Sequence, residues 1–194
     1  MKKSIIAMAL LGTISASAMA NQGSGRINFT GEIIAAPCSI TAETMDQTVS
    51  LGQISNVALT QGGASPVHNF NITLSECNFT TEEYDRTAQI TFNGTTVGQA
   101  TADADELLGE YLAMTGFNDS EAANFYNVAI EIRQAGTDAL VDLSGSTPVD
   151  VTDLQNGNND LPFSANVRGA STATADDIPL GNFSALANFA ISYN

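Results

Sequence analysis

The sequence predicts an all-β sandwich of immunoglobulin type, on three observations. Apolar residues recur with a period of two, no stretch of twelve or more residues carries a capped 3.6-residue apolar stripe, and clusters of Gly, Asn, Asp, Ser and Thr separate the alternating segments. In chain order, strands are expected over 27–34, 67–74, 86–92, 126–133, 161–167 and 182–193. The second puts Phe70, Ile72 and Leu74 on one face, and the third Ala88, Ile90 and Phe92. The fourth aligns Val128, Ile130 and Ile132, and the fifth Phe163, Ala165 and Val167. Polar stretches 93–106 and 144–160 read as turns and loops. Six or seven short strands over one core match the sandwich pattern.

Residues 1–20 read as a secretory signal peptide: Lys2 and Lys3, an apolar run over 5–11, then small residues ending Ala18-Met19-Ala20. Both lysines of the chain leave with it. The mature chain then begins at Asn21 and has 174 residues, with Arg26, Arg86, Arg133 and Arg168 against twenty-one acidic residues, a net charge of −17. Four scattered cations offer no basic patch to nucleic acid and no docking surface to anionic lipid. The one long apolar run belongs to the signal and is too short to span a bilayer, so no membrane insertion is expected.

Export brings the two cysteines, Cys38 and Cys77, into an oxidising compartment, where they are expected to pair. Closing that loop is worth roughly 4 kcal/mol in the chain-entropy treatment. Catalysis finds few means. His68 is the single histidine and sits beside Pro66, so no nucleophile has an imidazole partner and no mature lysine exists. The carboxylate clusters Glu82, Glu83, Asp85 and Asp103, Asp105, Glu106 lie in polar loops of a chain without tryptophan, and read as solvated. Asp153, Asn156, Asn158 and Asp160 are spaced too unevenly for a calcium loop and read as a turn. No enzyme activity, cofactor or metal is expected.

The two ends carry the most regular patterning. Near the C-terminus Gly181, Phe183, Ala185, Ala187, Phe189, Ile191 and Tyr193 share one face, with Asn182, Ser184, Asn188 and Ser192 on the other. Terminal residues usually fray, so this pattern implies a strand buried in a sheet. Near the start of the mature chain, Ile27, Phe29, Gly31 and Ile33 alternate with Asn28, Thr30 and Glu32. About 17 residues over 21–37 reach roughly 50 to 55 Å when extended, enough to enter a neighbouring molecule. The alternative is that this strand folds back as the first of its own sandwich.

Three segments, GRINFTGEIIAAPCSI (25–40), QTVSLGQIS (47–55) and GNFSALANFAISYN (181–194), resemble the pilin subunits of chaperone–usher fimbriae, the type 1 and P-pilus family. A glycine fourteen residues from the end and a penultimate tyrosine, here Gly181 and Tyr193, are the most specific part. The resemblance implies an incomplete immunoglobulin-like β-sandwich that lacks its last strand and is completed by a donor strand. It implies a signal peptide over 1–20, a donor extension over 21–36 and a pilin domain over 37–194. Ile27, Phe29, Gly31 and Ile33 then become the inserting face, and Gly181, Phe183, Ala185, Ala187, Phe189, Ile191 and Tyr193 the accepting strand. Implied partners are a periplasmic pilus chaperone, an outer-membrane usher and neighbouring pilin subunits in a homopolymer. The implied function is a fimbrial shaft subunit at the cell surface that supports adhesion. The competing expectation is a self-contained secreted acidic β-sandwich that binds carbohydrate or calcium.

Overall fold

The computed structural model describes residues 25–80, 84–97, 111–118, 127–137 and 139–193. The chain divides into two units, Met1–Ile34 and Ala35–Asn194. In the first unit, residues 25–34 form no regular element, contrary to the strand expected over 27–34. Ile27, Phe29 and Ile33 are 77%, 90% and 102% exposed. An alternating sequence becomes a strand only when a neighbour takes its backbone hydrogen bonds, and residues 25–34 belong to neither sheet of the described residues.

The second unit is two antiparallel sheets. The larger contains β1 (Ser39–Ile40), β2 (His68–Cys77), β7 (Gly157–Gly169), β4 (Val128–Gln134) and β5 (Ala139–Leu140), in the order β1-β2-β7-β4-β5. The smaller has the order β6-β3-β8, from β6 (Val149–Val151), β3 (Ala88–Gly94) and β8 (Ala187–Tyr193). One helical turn (Ala42–Met45) and a 3-10 segment (Asn56–Gly62) lie between β1 and β2.

Alternation decides what is buried. Ile72 and Leu74 of β2, Phe163, Ala165 and Val167 of β7, and Ala88, Ile90 and Phe92 of β3 all enter the core. Phe92 meets Phe163 edge-on at 5.1 Å between ring centres, joining the two sheets. Removing a ring such as Phe163 would cost about 3 to 5 kcal/mol through lost burial and the cavity left behind. Cys38 and Cys77 form a disulfide that ties the start of this unit to the end of β2. The Asn78 N–H donates to Pro37 O at 2.9 Å beside it.

Several boundaries differ from the expectations. The stretch 144–160, read as a loop, contains β6 and the first residues of β7. Strands β1, β5 and β6 are two or three residues long, shorter than one full alternation, so they leave no periodic signal. β8 starts at Ala187, not at 182, because its pairing with β3 ends at Gly94 opposite Ala187. The fourth expected strand begins at Val128; its residue 126 lies outside the described residues, as do 98–106, Glu82, Glu83 and the segment 1–20.

Candidate functional site

A strand in the middle of a sheet has two neighbours; among the described residues β8 has one. It pairs with β3 from Ala88–Tyr193 to Gly94–Ala187, and none of the described residues flanks its other side in the sheet. The consequence is visible side chain by side chain. On β3 the core-facing Ala88, Ile90 and Phe92 are fully buried, whereas on β8 the core-facing Ala187, Phe189, Ile191 and Tyr193 are only half-buried. Along this edge runs a groove of about 1340 Å³. Small-molecule pockets occupy about 300 to 1,000 Å³, so this volume suits a length of polypeptide better than a metabolite.

The groove has two rims and an apolar floor. One rim is 180–189, which at about 3.3 Å per residue follows roughly 30 Å of chain. The other is 45–56, where Leu51 and Ile54 pack against the core. Among the described residues no backbone–backbone hydrogen bond reaches 47–54, and Gln47 Nε2 donating to Asn71 O tethers the segment. Among the described residues both rims therefore hold backbone groups without a backbone partner, which is costly unless a strand enters between them. Ile72, Phe92, Val128, Ile130 and Val167 are among the floor residues.

Residues 111–118 build one end of the site, and the sequence reading did not single them out. Leu112 bridges to Ile130, Leu112 and Met114 line the groove, and Phe117 packs against Phe183 at 5.9 Å. The only signal was the alternation of Leu112 and Met114, blurred because Tyr111 before them and Ala113 between them are also apolar. Thr115 and Ser184 exchange backbone hydrogen bonds of 2.9 and 2.8 Å, and Asn118 N donates to Leu180 O at 2.9 Å. This extends the paired side of β8 past the end of β3. Gly181 has φ +123, and a Cβ there would stand 2.7 Å from Asn118 N, so only glycine fits.

The expected site residues are distributed as follows. Gly181, Phe183, Ala185, Ala187 and Phe189 line the groove; Ile191 and Tyr193 are half-buried against the core and are not among its lining. The Tyr193 hydroxyl is buried without a hydrogen-bond partner, and desolvation raises its pKa above the ordinary tyrosine value. Ile27, Phe29, Gly31 and Ile33 lie in the separate first unit. Gly31 has no heavy atom within 4 Å of a Cβ placed on it and no positive φ, so nothing around it in the free chain demands glycine.

Two of the residues weighed for metal binding, Asn156 and Asp160, accept hydrogen bonds from β2 and the residues that follow it. His68 opens β2 opposite Ala165. Asn156 Oδ1 accepts from Phe79 N–H, and Asp160 Oδ1 accepts from the Thr73 hydroxyl. Among the described residues no three His, Cys, Asp or Glu side chains gather as metal ligands do. Asp103, Asp105 and Glu106 lie outside the described residues.

The sequence profile of the family described as Fimbrial protein matches residues 27–194. The chain belongs to the fimbrial protein family. It is 40% identical over 184 residues to the Major MR/P fimbria protein of Proteus mirabilis (strain HI4320), covering 94% of this chain and 92% of that one. It is 36% identical over 196 residues to the Fimbria A protein of Serratia marcescens, covering 100% and 99%. Among solved structures, it is similar to a subunit of a chaperone–usher pilus studied for rod uncoiling, at TM-score 0.70 and 29% identity over 89% of this chain and 97% of that one. The P pilus rod subunit PapA matches at TM-score 0.63 and 29% identity, over 82% and 100%. The fimbrial subunit is thus an incomplete immunoglobulin-like sandwich, open beside β8. As a fimbrial protein it is a structural component exported to the cell surface.

Proposed function

We propose that this protein is a shaft subunit of a chaperone–usher fimbria that polymerises by donor-strand exchange, each copy filling the groove of a neighbour with its N-terminal segment. The observation that carries the proposal is the half-buried apolar face of β8 along an edge that, among the described residues, no strand flanks. Its complement is the exposed apolar face Ile27, Phe29 and Ile33 on residues with no partner of their own. Strand addition supplies backbone hydrogen bonds to both rims, and alternate side chains fill the floor. Gly31 then has a reason to be glycine, namely close approach of the donor to the groove of the next subunit.

Burying two isoleucines and a phenylalanine contributes on the order of 5 to 8 kcal/mol gross, at about 1.5 to 3 kcal/mol each. Ordering the segment opposes this at about 1 to 2 kcal/mol per residue. Fibre durability therefore rests on slow release as much as on affinity. An open groove is also an aggregation hazard, which is why a periplasmic chaperone covers it before an outer-membrane usher delivers the subunit. In this reading residues 1–20 direct export, 21–36 are the donor and 37–194 the acceptor domain. The assembled fibre supports adhesion, and the subunit performs no catalysis.

The test is a mature subunit lacking residues 21–34, prepared without chaperone. It is expected to be poorly soluble or short-lived, and to be rescued by the peptide SGRINFTGEII. A stable monomer indifferent to that peptide would overturn the proposal.

A further inference from the structure

We propose that Asp46, at one end of the groove, selects the donor segment of a second copy of this chain by pairing with its Arg26. The inference rests on the polymer reading above and adds to its apolar contact a charged one that can fail by itself. Among the described residues that line the groove, Asp46 is the one ionisable side chain. The described part of the donor, 25–34, has one cation, Arg26, just before the apolar face begins at Ile27, and one acid, Glu32, near its other end. Asp46 and Arg26 are both exposed, and among the described residues neither belongs to an ion pair.

The contacts of its rim fix where Asp46 stands. The next residue, Gln47, is tied to Asn71 O; the adjoining Phe70 stacks on Phe163 at 5.8 Å; Phe163 meets Phe92, which stands opposite Phe189 on β8. At the far end of the rim Asn56 Nδ2 donates to Ala175 O at 3.1 Å, on the approach to Leu180. The rims 45–56 and 180–189 therefore run in opposite senses, with Asp46 at the Phe189 end.

Val49 and Leu51 are half-buried, whereas Asp46, Thr48 and Ser50 are exposed, so this rim alternates as the donor does. With Arg26 level with Asp46, a donor running in the sense of this rim brings Phe29 level with Val49 and Gly31 level with Leu51. Ile27, Phe29 and Ile33 then face the floor, and Arg26 and Asp46 meet on the solvent side. Turned end for end, the donor would bring Glu32 toward Asp46, and like charges side by side are unfavourable. A segment with an acid in place of Arg26 is disfavoured for the same reason.

A second copy is the occupant that charge complementarity selects. The mature chain has four cations against twenty-one acidic residues, and one of the four stands where the donor begins. An exposed pair adds little to final affinity; its effect falls on encounter and register.

The test follows the rate at which mature subunits form strand-linked polymers, read as a ladder on gels of unheated samples, at about 0.05 M and about 0.5 M salt. At low salt Arg26→Glu and Asp46→Arg should each assemble about two- to fivefold more slowly than wild type. The double variant, Arg26→Glu with Asp46→Arg, should recover to within about twofold, which also shows that both replacements fold. At high salt the differences should close. Net charge alone predicts the opposite for Asp46→Arg, since a change of +2 takes the subunit from −17 to −15 and eases repulsion between copies. Asp85→Arg, exposed and outside the groove lining, makes the same change of charge and should not slow assembly. If Asp46→Arg assembles at the wild-type rate or faster, or if the double variant is no faster than the slower single one, the pairing is refuted. A ladder that persists in Phe29→Asp would instead overturn strand exchange, and the pairing with it.

Discussion

Three residues show how single positions carry the account. Gly181 has φ +123 and no space for a Cβ against Asn118, so Gly181→Ala should destabilise the domain by at least about 1 to 3 kcal/mol. Urea titration of the subunit completed with donor peptide reads this as a lower midpoint. Asp142 accepts backbone N–H bonds from Ser144 and Thr147, both at 2.8 Å. A side-chain hydrogen bond with Ser144 foremost, and then these backbone bonds, hold its carboxyl below the ordinary aspartate value. A depressed folded pKa stabilises fully above the unfolded value and loses that contribution as pH falls through the folded value. Asp142→Asn should therefore lower stability at neutral pH, by about 1 kcal/mol or less at so exposed a site, and change little in strong acid. Parallel urea titrations at the two pH values check the sign. Gly31 is the converse of Gly181. Its neighbourhood is empty, so Gly31→Leu should leave subunit stability unchanged and abolish polymerisation, as judged by loss of the ladder.

At the scale of elements, period-two patterning located β2, β3, β7 and most of β8, because each has one face in a closed core. It located 27–34 as well, yet that segment is no strand by itself, since alternation reports a capacity that pairing must realise. Other parts were not legible. β1, β5 and β6 are too short to alternate. The 45–56 rim and residues 111–118 enter the site through tertiary position, with only faint patterning of their own. On β4 the polar-face residue Glu131 is buried, a feature the alternation of Val128, Ile130 and Ile132 says nothing about, because Arg133 and Arg168 converge on it. β1 makes just two register pairs with β2, so the disulfide is its main anchor. Cys77→Ser should accordingly cost roughly 4 kcal/mol in the chain-entropy treatment and is read by thermal melting of the peptide-completed domain.

At the scale of the whole molecule, a charge of −17 on 174 mature residues sets copies against one another. Strand exchange must then be driven by the apolar face and backbone pairing, and the rate at which mature subunits form the gel ladder should rise as salt screens the repulsion. The central claim is that β8 lacks a second neighbour until a donor supplies one. Amide hydrogen exchange on a mature subunit carrying Phe29→Asp, with and without the SGRINFTGEII peptide, tests this most directly. The amides of β8 that do not pair with β3 should exchange rapidly alone and become protected when the peptide binds, while β7 stays protected in both states. Protection across all of β8 before peptide is added, or no change when it is, would contradict the account.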